Sequence, residues 1–204
     1  MDWLEYEKQG KAKGHSVICG IDEAGRGPLA GPVCAAAVIL PEGCVIEGVN
    51  DSKKLSEKKR EELFDVITET ALDYSIAFAD EREIDELNIV NATFLAMRRA
   101  VQGLKTVPSL ALIDGNKTPG LDGIEQWAIV KGDAKSANIA AASILAKVSR
   151  DRVLREIDKE YPQYEFARHK GYGTKLHYEK LREYGISPVH RRSFLKKFLG
   201  EENV

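Results

Sequence analysis

The chain has no apolar run approaching the ~20 residues that a membrane-crossing helix requires, so no such helix is expected. Its first residues, MDWLEYEKQGKAKG, lack the apolar core of a secretory signal, which makes the cytoplasm the expected location. Only three cysteines are present, Cys19, Cys34 and Cys44, with no C-x-x-C spacing. An odd, unspaced set of thiols argues against both a disulfide framework and a zinc site. The glycine-rich stretch AGRGPLAG (24–31) has neither the Walker lysine nor the G-x-G-x-x-G spacing, which argues against a nucleotide-phosphate loop there. Internal repeats and low-complexity tracts are absent as well.

What is present suffices for one soluble domain: 204 residues, 43% hydrophobic and 30% charged. Residues 1–15 read as a short helical leader. Residues 17–22 and VCAAAVIL (33–40) read as strands around a Gly/Pro turn, with 45–49 as a third; short strands joined by tight turns pair antiparallel. Ser56 is placed to cap a helix over 57–70, whose Leu63, Phe64 and Ile67 share a face. Further strands are expected at 74–80, 110–114 and 125–130, and helices at 88–104, from Asp133 to about Glu160, at 174–184 and at 190–199. Pro162 closes the long helix, and the alanines of IAAASILAK (139–147) let its backbone approach a sheet closely. This order predicts an α/β fold over 1–204: a mixed β-sheet flanked by helices, with a helical C-terminal subdomain at about 162–204.

Four acids share one feature. Asp22 and Glu23 follow VICGI, Asp114 follows LALI, and Asp133 follows WAIVKG, so each sits at the exit of an apolar strand. Strand ends at one rim of a sheet are where an α/β fold assembles a site. Carboxylates converging there repel one another unless a cation is present, and Mg²⁺ or Mn²⁺ with oxygen ligands meets that need. Singly, each acid has a plainer role: Asp22 and Asp114 as turn formers, Asp133 as the cap of the long helix. All four being plain at once is less comfortable, since every one lies at a strand exit.

Charge is unevenly distributed. Nine lysines and arginines between residues 168 and 199 face only Glu179 and Glu183, a net of +7, with His169, His177 and His190 interspersed. Such a block is either a solvated helical face or the footprint of a polyanion. Arg26, between two glycines, suits a phosphate or ribose edge, and Lys53 with Lys54 precedes a helix N-terminus suited to a backbone phosphate.

The segment GIDEAGRGPLAGPV resembles the signature of type 2 ribonuclease H, the bacterial ribonuclease HII family. The likeness continues through NDSKKLS, LIDGN, VKGDAKSANIAAASILAKVSRD and HKGYGTKLHYEKLREYGISPVHRRSF. It implies a ribonuclease H-like fold in which Asp22, Glu23, Asp114 and Asp133 hold two divalent cations, Mn²⁺ or Mg²⁺. Asp22 would bridge the ions, Asp133 serve the ion that activates water, and Glu23 with Asp114 the ion at the leaving 3′ oxygen. The resemblance gives recognition of the 2′-hydroxyl to Gly25, Arg26, Gly27 and Tyr172, with Lys53, His169, Lys170 and Lys175 as weaker substrate contacts. The implied partners are RNA/DNA hybrids and ribonucleotide-containing duplex DNA, acted on by a monomer with no membrane association. A metal nuclease acting on plain DNA and a non-enzymatic nucleic-acid-binding module are the rival readings.

Overall fold

The structure, a computed structural model, describes residues 2–49, 52 and 55–201. Five strands, β1 (Ile18–Ala24), β2 (Val33–Ile39), β3 (Asp73–Ala79), β4 (Leu110–Asp114) and β5 (Glu125–Ile129), form one sheet in the order β3-β2-β1-β4-β5. Strand β2 pairs antiparallel with both β1 and β3, while β4 lies parallel to β1 and to β5. The helices are α1 (Glu5–Ala12), α2 (Glu57–Thr70), α3 (Glu81–Leu87), α4 (Ile89–Gln102), α5 (Ala137–Glu160), α6 (Phe166–His169), α7 (Lys175–Tyr184) and α8 (Lys196–Leu199). The expected mixed sheet flanked by helices is the observed architecture.

The period-2 alternation of the strands assigns each face its cover. Cys34, Ala36 and Val38 pack with Leu63 and Ile67 of α2 and with Ala141, Leu145 and Val148 of α5. Val33, Ala35 and Ala37 pack instead with Ile84 of α3 and with Ala96, Met97 and Ala100 of α4. Small residues bring α5 onto the sheet at backbone contact. A Cβ added at Gly20 would lie 2.2 Å from the carbonyl carbon of Asn138, and Ala140, Ala141 and Ala142 are fully buried. In the parallel pair, Gly20 lies beside Leu112 and Ile21 beside Ile113. The next step along both strands brings Asp22 alongside Asp114.

Three expectations need correction. Residues 45–49 form no strand: Gly43 and Gly48 take left-handed φ values of 74° and 83°, and Val49 N–H turns back to Ile46 O. Both edges of β2 are already paired, so no place beside it remains. Residues 190–199 are not one helix. Gly31 N–H bonds Val189 O and Arg191 N–H bonds Leu29 O, holding 189–191 extended before a 3-10 turn at Arg192–Phe194 and the short α8. Helix α5 is capped by Ser136, whose Oγ accepts from Ile139 N, while Asp133 sits in a 3-10 turn ahead of it. Helix α3 is not among the expected elements, although Asp80 and Glu83 form a reciprocal capping box there.

Candidate active site

The rim at the ends of β1 and β4 collects the acids. Asp22 is buried, and its Oδ1 accepts from Glu23 N at 2.7 Å. Burial, followed by the nearby charges of Glu23 and Asp114, pushes its carboxyl well above the usual carboxylate range, against a hydrogen bond with Ser143. The Ser143 hydroxyl is also 2.9 Å from that of Ser52, so one α5 serine links Asp22 to the segment before α2. Asp114 Oδ1 accepts from Gly132 N at 2.7 Å, which brings the turn carrying Asp133 onto the end of β4. Glu23 Oε1 lies 3.3 Å from Arg26 Nη1.

These are hard oxygen donors of one sign, and burial with the neighbouring carboxylates disfavours the charge of Asp22. A divalent cation relieves that burden, so the donor set fits Mg²⁺ or Mn²⁺. Among the described residues, no three His, Cys, Asp or Glu side chains form a finished coordination shell. Asp22, Glu23 and Asp114 each accept a hydrogen bond from a neighbouring protein group instead.

A cleft of about 270 Å³ opens beside them, lined by Glu23, Arg26, Asp114 and Lys117 and floored by Phe94 and Met97. A larger hollow of about 580 Å³ lies at the opposite rim, between α1 and the ends of β1 and β2. Its walls are chiefly apolar and hold none of the four strand-exit acids, whereas Glu23 and Asp114 line the smaller cleft.

Next to the acids, the loop after β1 meets the segment after α6. Leu29 N–H bonds Gly171 O at 2.8 Å, and a Cβ on Gly27 would find only the Tyr172 ring, at 3.9 Å. Gly27 thus owes its lack of a side chain to no contact within the protein. Tyr172 is exposed at 42%, and Gly25 has a left-handed φ of 96°. Arg26 and Gly27 are exposed beside Tyr172, while Gly25 is buried behind them.

The weaker candidates scatter. Lys53 lies outside the described residues. Lys170 has its Nζ 4.0 Å from Glu57, and the exposed Lys175 stands 3.9 Å from Glu179. His169 does not offer its ring to a ligand: Nε2 bonds Tyr164 O at 2.8 Å and Nδ1 accepts from Gly171 N at 3.2 Å. Its ring stacks on His177 at 4.3 Å. Ser187 N–H donates to His190 Nδ1, so the His190 proton sits on Nε2 and points at His177 Nε2, 3.0 Å away. His177 then carries its proton on Nδ1, bonded to Tyr172 O at 3.0 Å. Burial holds all three imidazoles neutral, with His177 and His190 pushed down to about 4.

The basic block is also less free than its count implies. Arg168 and Lys180 pair with Glu165, Arg192 pairs with Glu201, and Arg191 is fully buried. Arg150 is buried as well, and neither arginine was singled out from the sequence. Arg150 did leave a signal, since it continues the buried Ile139, Ser143 and Ala146 face of α5 at helical spacing.

The sequence model of the family described as Ribonuclease HII matches residues 19–197. A ribonuclease HII of Acetivibrio thermocellus is 61% identical over 194 residues, covering 95% of this chain and 75% of that protein. Among solved structures, ribonuclease H2 from Pyrococcus horikoshii OT3 superposes with a TM-score of 0.77 at 29% identity, over 91% of this chain and 97% of that one. Bst-RNase HIII, solved in complex with Mn²⁺, shares the fold at a TM-score of 0.71 and 17% identity, over 92% of this chain and 71% of that one. The chain belongs to the ribonuclease HII family, whose members are metal-dependent endoribonucleases.

Proposed function

We propose that this protein hydrolyses the RNA strand of RNA/DNA hybrids and cuts on the 5′ side of ribonucleotides embedded in duplex DNA. The observation that carries this reading is the meeting of two surfaces, the Asp22–Glu23–Asp114 rim and the Gly25–Arg26–Gly27 loop with Tyr172. A DNA nuclease has no use for the second. The 2′-hydroxyl is what separates a ribonucleotide from a deoxyribonucleotide, and a bare loop beside an exposed phenol supplies donors at close approach.

Asp22, Glu23, Asp114 and Asp133 would hold two divalent cations. When bound, such ions lower the pKa of the attacking water and neutralise charge on the scissile phosphate. The protein's own part is positional: β1 and β4 fix the carboxylates, the loop and Tyr172 fix the sugar, and Lys170 and Lys175 bind backbone phosphates. His169 acts indirectly, by holding the Gly171–Tyr172 backbone. Products would carry 5′-phosphate and 3′-hydroxyl ends.

The test is cleavage of an end-labelled DNA duplex containing one ribonucleotide, with Mg²⁺, Mn²⁺ or chelator. A single cut on its 5′ side, only with metal, is expected. Equal cleavage of a ribonucleotide-free duplex would turn the reading to a plain DNA nuclease, and metal-indifferent binding without cleavage to a binding module.

A further inference from the structure

Arg150 and Arg191 are both 0% exposed, and they are the largest of the fully buried side chains. Buried guanidiniums need all their donors matched, usually by a carboxylate. Here the partners are main-chain carbonyls. Arg191 donates from Nη2 to Gly25 O (2.7 Å), from Nη1 to Arg26 O (3.0 Å) and from Nε to Gly31 O (2.9 Å). Arg150 donates from Nη2 to Ala30 O (3.1 Å), from Nε to Pro32 O (2.9 Å) and from Nη1 to Lys170 O (3.0 Å). Five of these six carbonyls lie in the loop joining β1 to β2, and the sixth lies two residues before Tyr172.

The consequence follows from peptide geometry. In a trans peptide the C=O and the following N–H point in opposite directions, and the described chain has no cis peptide. Drawing Gly25 O and Arg26 O inward therefore turns the N–H groups of Arg26 and Gly27 outward. Among the described residues, nothing accepts from either N–H. The arginines also account for Gly25: a Cβ there would fall 1.9 Å from Arg150 Nε, at a φ of 96°.

We propose that Arg150 and Arg191 are positioning residues for ribonucleotide recognition, holding the outward Arg26 and Gly27 backbone amides and Tyr172 as one preformed surface. Neither touches the substrate. This inference rests on the reading of that surface given above. A guanidinium fork reaches several carbonyls at fixed angles, whereas a lysine ammonium is a compact charge without that geometry.

The experiment compares kcat/KM on a duplex with one ribonucleotide and on a long RNA/DNA hybrid. It uses Arg191→Lys and Arg150→Lys, below each variant's Tm and at equal folded fraction. Arg191→Gln, which removes the buried charge, is the second variant if lysine does not fold. Tyr172→Ala reports on the reading itself, and Ile67→Ala, a fully buried α2 core residue outside the loop, on general destabilisation. The arginine variants should lose tenfold or more on the single ribonucleotide and threefold or less on the hybrid, in the direction of Tyr172→Ala. Ile67→Ala should leave the ratio unchanged. If Tyr172→Ala shifts the ratio but the arginine variants shift it no more than Ile67→Ala, the inference fails and the reading stands. Failure of every arginine variant to fold would make them fold residues and overturn it too. An unchanged ratio in Tyr172→Ala would remove the reading, and this inference with it.

Discussion

At the ends of β1 and β4, carboxylates of one sign meet, and burial with its neighbours' charge drives Asp22 toward its neutral form. Behind Tyr172, two guanidiniums and three imidazoles are buried as deeply, but the guanidiniums are bonded to carbonyls and each imidazole nitrogen has a partner. The difference separates a site from its support. A cluster of like charges is relieved by an external cation, while one whose donors and acceptors are matched within the protein fixes geometry.

The largest break of this contrast comes at the acidic side. Asp22→Asn or Asp114→Asn should lower kcat by roughly 10³-fold, the rate equivalent of the several kcal/mol a bound cation contributes. Both variants should remain folded. Mn²⁺ should raise the Tm of the wild type and fail to raise that of Asp22→Asn, because only a ligand bound by the native state stabilises it.

At the satisfied side, acid is the lever. His177 and His190 are pushed from 6.5 down to about 4 in the folded protein. Between those values the unfolded chain takes up protons that the folded one refuses, so stability falls with pH through that window and levels off below it. A shift of this size corresponds to about 3 kcal/mol. Asp22, shifted upward, acts in the opposite sense, so the histidine contribution is read as a difference: His190→Gln should show a shallower fall of Tm from pH 7 to pH 4.5 than the wild type. Parallel curves would mean the imidazole chain carries no linkage.

Where the two regions meet, effects are smaller. Tyr172→Phe should lose about 0.5–1.5 kcal/mol on a single-ribonucleotide duplex, one neutral hydrogen bond, and less on a long hybrid. Tyr172→Ala should lose more, since ring packing goes too. Equal losses on both substrates would leave Tyr172 a structural residue. Smallest is the outer basic face: neutralising Lys170 and Lys175 together should flatten the salt dependence of binding by about 0.9 for each phosphate no longer neutralised. An unchanged slope places the duplex elsewhere.

Much of this was legible in the residues. Strands β1, β2 and β4 stand out as apolar runs, Ser56 marks α2, and the acids are visible because each ends such a run. What stayed hidden depends on distant partners. Residues 45–49 look like a strand until β2 has no free edge. Residues 190–199 look helical until Leu29 and Gly31 hold 189–191 extended. Arg191 counts as a solvent cation, and His169 as a ligand, until the carbonyls and amide that occupy them are brought in by the fold.

The central claim, that the acidic rim holds cations at a ribonucleotide, is tested most directly by anomalous diffraction. Crystals of the protein with a ribonucleotide-containing duplex, slowed at the cleavage step by Asp133→Asn and soaked in Mn²⁺, would be measured at the manganese edge. Manganese peaks among Asp22, Glu23 and Asp114, with the 2′-hydroxyl at the Arg26 and Gly27 amides, are predicted. A well-ordered duplex on this face with no manganese at those carboxylates would contradict it.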